Sequence, residues 1–120
     1  VLYPASAKAA STLQDGLAAR GADVTRLNTY STEKVTAVGP DVLQQALAAD
    51  VVTFGSPSAV KAWMALTGLD PTAEDHPAYA CIGGTSAKAC DTIGLPGVLF
   101  PEDPGVDGWE GVVLKALEAR

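Results

Sequence analysis

The sequence predicts an α/β fold built around parallel sheets. Short apolar segments rich in Val, Ile and Leu alternate with longer segments whose apolar residues recur at helical spacing. Three of the helical segments are followed by Gly21, Gly68 and Gly94, at positions where helices commonly end. Strands that alternate with helices of this length are typical of βαβ units, in which neighbouring strands run parallel.

Each element follows from its local pattern. Strands are predicted at residues 1–3, 23–30, 50–54, 78–82 and 97–100. Helices are predicted at residues 6–20, 40–48, 58–67, 85–93 and 106–119. The first helix would place Ala9, Leu13 and Leu17 on one face, and the last would place Trp109, Val112, Val113 and Leu117 on its apolar face. The remaining residues include a loop at 68–77.

The alternation is interrupted at residues 31–38, which are mostly polar or small and predict an extended connection. We expect a crossing between two domains there, with residues 1–35 in one and residues 36–120 in the other. Neither block has enough strands to close a sheet alone. The chain also begins in strand-like sequence without Met, so we expect a longer protein whose N-terminal strands complete both blocks.

Charge and composition exclude several classes of function. The net charge is −6 and the pI about 4.5, which argues against nucleic acids and anionic membranes as partners. No apolar run approaches the roughly 20 residues of a membrane span. With two cysteines, no CxxC pair and one histidine, zinc and iron–sulfur sites are disfavoured. Cys81 lies in an apolar predicted strand, where a buried free thiol is expected. His76 is expected at the surface, in a loop bounded by prolines, and it is therefore not expected to form a Ser/His/Asp triad.

Three strand-to-helix turns share small and hydroxyl residues with a lysine close by, at residues 3–9, 55–62 and 83–89. A helix N-terminus has unpaired N–H groups and roughly half a positive charge. Such turns hold carboxylates or phosphates without an excess of arginine, and in parallel sheets they meet at one edge. The candidate binding residues are Ser6, Ser56, Ser58, Gly83, Thr85 and Ser86. Each hydroxyl could instead be only an N-cap, and the lysines could be only solvated.

Tyr30 is the candidate catalytic residue. It ends a predicted strand at the domain crossing. A phenol that faces a cleft between domains can act as a proton donor. The alternative is a half-buried aromatic whose hydroxyl lies in water.

Three motifs follow one another along the chain: FGSPSAV at residues 54–60, CIGGTSA at residues 81–87 and PEDPG at residues 101–105, before the last helix. Taken in this order, the segments resemble the uroporphyrinogen-III synthase family. The segments YPASAKA at residues 3–9 and RLNTY at residues 26–30 are similar to those of plant and algal members. Ser86 departs from the family's second threonine but keeps a hydroxyl.

The resemblance implies a fold of two flavodoxin-like α/β domains with a cleft between them. Residues 1–35 would end the inserted domain, residues 36–120 would form most of the other, and the N-terminal half would be absent. The implied reaction closes the linear tetrapyrrole hydroxymethylbilane to uroporphyrinogen III with inversion of ring D.

The resemblance further implies a substrate with eight carboxylates, no metal or organic cofactor, and a role for Tyr30 in assisting departure of the hydroxyl. The likeness to plant and algal members implies a location in the chloroplast stroma, and the alternative is the cytoplasm. A second hypothesis stays open, in which a chain of this length is a non-catalytic subunit or fragment built into a larger assembly.

Overall fold

A computed structural model describes residues 1–120, which divide into two units, Val1–Lys34 and Val35–Arg120. The strands form two separate parallel sheets, one in each unit. The predicted α/β class with parallel sheets is therefore confirmed. No helix is both long enough and apolar enough to cross a membrane. The assignment of the units to two domains of a larger fold stays a prediction.

The first unit is a small βαβ arrangement. It contains β1 (Leu2–Ser6), α1 (Thr12–Ala19) and β2 (Thr25–Tyr30). The two strands run parallel, with Leu2 opposite Thr25. A shift in register between Ala5 and Ser6 brings Ser6 opposite Tyr30 at the carboxyl ends of the strands. Ala5 is the unit's only buried apolar residue, and α1 has no buried residue, so this unit has a very small core.

The predicted start of the first helix at Ser6 is wrong, because β1 continues through Ser6 and α1 begins only at Thr12. Bonds to distant residues hold the intervening segment. One guanidinium nitrogen of Arg26 donates to the carbonyls of Ser6 at 3.0 Å and Ala9 at 2.9 Å. The Ala7 N–H donates to the carbonyl of Tyr30 at 2.7 Å. These tertiary bonds override the helix propensity of the alanines.

The second unit repeats strand and helix as predicted, with bounds within two residues of expectation. The elements are α2 (Pro40–Leu47), β3 (Val51–Phe54), α3 (Pro57–Thr67), β4 (Ala78–Cys81), α4 (Gly84–Ile93), β5 (Val98–Leu99) and α5 (Val106–Glu118). Gly68 and Gly94 end their helices with φ of 63° and 93°. That left-handed conformation favours glycine, as the sequence predicted.

The core of the second unit lies between its sheet and helices α3 and α4. The strand order is β3–β4–β5, all parallel. Residues of α3 and α4 share one core cluster with the strands, so both helices lie on one face. Val60, Tyr79, Cys81 and Cys90 are fully buried there. Helix α5 packs against all three strands, and its buried residues lie outside that cluster, so α5 covers the opposite face.

Helix α5 turns a slightly different face to the sheet from the predicted one. Val112 and Ala116 are buried, whereas Leu117 is 48% exposed. The indole N–H of Trp109 donates to the carbonyl of Ala80 at 3.1 Å. This bond fixes the rotation of the helix, so Ala116 rather than Leu117 follows Val112 on the buried side.

His76 is buried, with 9% exposure, which corrects the prediction of a surface residue. Its Nε2 lies 2.8 Å from the carbonyl oxygen of Asp70 and its Nδ1 lies 2.8 Å from the hydroxyl of Tyr79. A carbonyl only accepts, so Nε2 donates to it, and Nδ1 and the Tyr79 hydroxyl form the second hydrogen bond. Burial raises the pKa of Tyr79 and keeps it a donor. The pair ties the loop at residues 68–77 to the core.

Replacing Val60 by alanine tests this core. Removal of two methyl groups from a fully buried site should lower the free energy of unfolding by about 1–3 kcal/mol, through lost burial and a residual cavity. Val42→Ala is the matched control, because Val42 lies on helix α2 and is 57% exposed. The control should change stability by less than about 0.5 kcal/mol. Urea denaturation of the full natural polypeptide measures both, and equal losses would contradict the assigned core.

Candidate active site

The carboxyl ends of β3, β4 and β5 form one edge of the sheet in the second unit. Helices α3, α4 and α5 each begin just after one of these strands. Close contacts show that the turns converge. A Cβ placed on Gly83 would lie 3.0 Å from the side chain of Pro104, and one on Gly55 would lie 3.4 Å from the ring of Trp109. Three helix N-termini therefore lie along one edge, where α/β sheets bind ligands.

The N-terminus of α3 is largely satisfied by its own residues. The Ser56 hydroxyl accepts from the Ala59 N–H at 3.3 Å and lies 3.0 Å from the Ser58 hydroxyl. Pro57 has no N–H to offer. Ser56 is therefore the N-cap of α3, as the simpler of the two sequence interpretations held. Ser58 remains exposed, and any further binding role for either serine stays a prediction.

The N-terminus of α4 is open. Gly83 occupies the N-cap position and supplies no side-chain cap. The first backbone bond runs from the Ala87 N–H to the Gly83 carbonyl at 3.2 Å, which leaves the amides of Gly84, Thr85 and Ser86 without acceptors. Unpaired amides at a helix N-terminus carry partial positive charge. This turn is therefore the strongest candidate anion site in the second unit.

The two hydroxyls of the α4 turn differ in access. Thr85 is exposed and its hydroxyl has no hydrogen-bond partner in the chain. Ser86 is only 2% exposed, so its side chain belongs to the protein interior. If both residues bind an anion, Thr85 can offer its hydroxyl and its amide, whereas Ser86 chiefly offers its amide.

The N-terminus of α5 carries negative charge instead. Gly105 is its N-cap without a side-chain cap. The groove at this turn has a volume of about 560 Å³ and is lined by residues 101–108, which include Glu102, Asp103 and Asp107. These carboxylates oppose an anionic ligand and themselves interact favourably with the helix dipole. An anion at this edge is therefore directed towards α4.

Gly83 has a steric role that the sequence did not reveal. Its φ of −168° is extended backbone that any residue adopts. The Cβ and Cγ atoms of Pro104 fill the place where a side chain would begin. Gly83 thus allows the loop before α5 to approach the end of β4. Direct contact of Gly83 with a substrate stays a prediction.

Ser6 and Tyr30 lie side by side at the carboxyl ends of β1 and β2. Tyr30 is 62% exposed, and its hydroxyl has no hydrogen-bond partner in the chain. The Ser6 hydroxyl accepts from the Lys8 N–H at 3.4 Å. Ser6 is not at a helix N-terminus, because α1 begins six residues later. The structure therefore places a free phenol beside Ser6 but removes the helix-dipole argument for Ser6.

The cationic groups beside these residues already have partners. Lys8 donates to the carbonyl of Thr32 at 2.6 Å and lies 3.3 Å from the Glu33 carboxylate. The Ser31 hydroxyl, and then Lys8, lower the pKa of Glu33 below its ordinary value. Arg26 was missed as a structural residue, although an arginine within a strand needs acceptors and could have been noticed on that ground. The free hydrogen-bond donor at the carboxyl ends of β1 and β2 is therefore the neutral hydroxyl of Tyr30 rather than a lysine or arginine.

Known proteins of one family are similar to this chain over most or all of its length. The family model described as uroporphyrinogen-III synthase HemD matches residues 1–110. The chain belongs to the uroporphyrinogen-III synthase family. It is 49% identical over 120 residues to "Uroporphyrinogen-III synthase, chloroplastic" of Oryza sativa subsp. japonica, a match that covers 100% of the chain and 39% of that relative. No solved structure matches the chain. The resemblance that the motifs predicted is confirmed.

Gly83→Ala tests the packing of the turn between β4 and α4. The new methyl group would meet Pro104 at 3.0 Å, so we expect a loss of about 1–3 kcal/mol in the free energy of unfolding from overpacking. Gly84→Ala is the matched control, because its nearest neighbour, a ring atom of Phe100, lies at an ordinary 3.9 Å. Thermal unfolding of the full natural polypeptide compares the two. If Gly83→Ala is as stable as Gly84→Ala, Pro104 does not constrain this turn.

Proposed function

We propose that this chain supplies part of the active site of a uroporphyrinogen-III synthase, which cyclises hydroxymethylbilane with inversion of ring D. Membership of the family supports this activity. The observation that carries the proposal to particular atoms is the open N-terminus of α4, where the amides of Gly84, Thr85 and Ser86 lack acceptors. The chain spans 39% of the length of its rice relative, so further residues would complete the cleft.

The chemistry of the substrate suits neutral donors at helix termini. Hydroxymethylbilane carries eight carboxylates, and each amide or hydroxyl can bind one without adding a mobile cation. Closure requires loss of the terminal hydroxyl as water and attack on the substituted carbon of ring D through a spiro intermediate. The main demand on the protein is to hold a flexible chain in the reactive geometry. No step requires a metal or an organic cofactor.

The residues take distinct roles in this proposal. Tyr30 would donate a proton to the departing hydroxyl, since its phenol is exposed and unpaired. Thr85 would bind a carboxylate through its hydroxyl and amide, and Ser86 through its amide. Ser6 in the first unit, and Ser56, Ser58 and Gly83 in the second, would each contribute to substrate binding, with Ser56 also capping α3. Because the rice relative is described as chloroplastic, we propose the chloroplast stroma as the location.

The reaction is tested by the identity of the product. The full natural polypeptide is supplied with hydroxymethylbilane generated in situ, and the porphyrinogen isomers are separated by chromatography after oxidation. The proposal expects the isomer with ring D inverted. Product without inversion, at the same yield as in a reaction without protein, would contradict it.

Tyr30→Phe tests the proton donor. The variant keeps the ring and removes the hydroxyl, so turnover should fall by roughly a hundredfold, within the range that positioned proton transfer contributes. Tyr3→Phe is the matched control, because Tyr3 lies on the neighbouring strand β1 and should retain turnover. Melting temperatures of both variants are measured alongside. Wild-type turnover in Tyr30→Phe would remove Tyr30 from the mechanism.

Thr85→Val tests carboxylate binding at α4. Valine keeps the shape and deletes the donor, and a hydrogen bond to a charged group contributes about 1.5–3 kcal/mol. The affinity for uroporphyrinogen III should fall by roughly ten- to a hundredfold. Thr92→Val is the control, because its hydroxyl donates only to the Lys88 carbonyl of the same helix. If Thr85→Val lowers the melting temperature while affinity is kept, Thr85 has only a structural role.

A further inference from the structure

Two cysteines face each other in the core of the second unit. Cys81 is the last residue of β4 and Cys90 lies two turns into α4. Both thiols are free and fully buried, and their sulfur atoms are 3.7 Å apart. The open turn between β4 and α4 lies between them in the chain.

We propose that Cys81 and Cys90 form a redox-active dithiol, a modification site at which an intramolecular disulfide joins β4 to α4. A disulfide has its sulfurs about 2.05 Å apart. The observed 3.7 Å therefore requires the two sulfurs to approach by roughly 1.6 Å, which is on the scale of a side-chain rotation with a small shift of the helix. The inference concerns this pair alone and does not depend on the proposed function.

The oxidant is a small disulfide such as glutathione disulfide, and the exchange balances in two steps. One cysteine loses its proton and its thiolate attacks a sulfur of the oxidant, forming a mixed disulfide and releasing one glutathione thiolate. The second cysteine then attacks the protein sulfur of that mixed disulfide and releases the second glutathione. Two protein thiols are oxidised and one glutathione disulfide is reduced to two glutathione thiols, which take up the two protons that the cysteines lose.

Burial controls when this exchange can occur. Burial, followed by the neighbouring Cys90, raises the pKa of Cys81 to about 12, and burial also raises the pKa of Cys90. The folded pair is therefore protonated near neutral pH and inaccessible to the oxidant. Exchange proceeds from states in which α4 has moved away from β4. Once the first mixed disulfide has formed, refolding of α4 brings the second thiol next to it.

The site is tested on the full natural polypeptide under native conditions, with glutathione disulfide as the probe. Free thiols are then alkylated and the protein is digested with trypsin, which cleaves after Lys61, Lys88 and Lys115. The disulfide would join peptide 62–88 to peptide 89–115, two hydrogens lighter than their sum, and reduction would separate them. We expect this pair to exceed the single glutathione adducts at either cysteine by about tenfold or more, because the second step is intramolecular.

Cys81→Ala and Cys90→Ala are the matched controls. Each should give only the glutathione adduct at the remaining cysteine, and the native signal of circular dichroism confirms that each is folded. The wild-type digest decides the question even if one variant fails to fold. Glutathione adducts without the joined pair, a joined pair that forms only in urea, or linkage of these cysteines only to other cysteines would each overturn the proposal.

Discussion

Parallel pairing of β3, β4 and β5 is the constraint on which the rest of the second unit depends. Each parallel strand must be reached by a crossover, and here every crossover contains a helix. The helices after these strands consequently begin at the same edge of the sheet. The fold therefore brings three sets of N-terminal amides together before any side chain is considered, and the residues of the turns decide which set stays open.

That selection supports the proposal of a carboxylate site in a chain of net charge −6. At the N-terminus of α3, Ser56 caps an amide and Pro57 has no N–H, and acidic side chains lie at the N-terminus of α5. Helices α4 and α5 both have a glycine N-cap without a side-chain cap, but only α4 of these two has no acidic residue in its first turn. Because backbone dipoles act over the first turn of a helix, the local field can be positive where the net charge of the protein is negative. Net charge is thus a guide to nonspecific partners and not to this turn.

The elements that could be predicted from the sequence are those determined by neighbouring residues. Gly68 and Gly94 end their helices because a left-handed residue is required there, and strands rich in β-branched residues follow a local pattern. The segment after β1 could not be predicted, since the distant Arg26 holds it in a non-helical turn. His76 lies in a polar loop whose composition suggests exposure, yet Asp70 and Tyr79 satisfy both its ring nitrogens. At the candidate site, the turns were predictable but the capping of α3 and the openness of α4 were not, because they depend on side-chain geometry.

The turn between β4 and α4 is restricted on two sides, which limits how it can recognise a ligand. Pro104 fills the place where a Cβ of Gly83 would lie, and Cys81 and Cys90, on either side of the turn in the chain, are fully buried in the core. Gly84 and Thr85 are exposed, whereas Ser86 is only 2% exposed, so the backbone of residues 84–85 and the hydroxyl of Thr85 are the most accessible groups of the turn. In the proposed carboxylate site, the donors of this turn are chiefly amides held in place by the packing around them, and preorganised donors lose little entropy when a ligand binds. The packing residues, rather than the outward side chains, then set the geometry on which affinity depends.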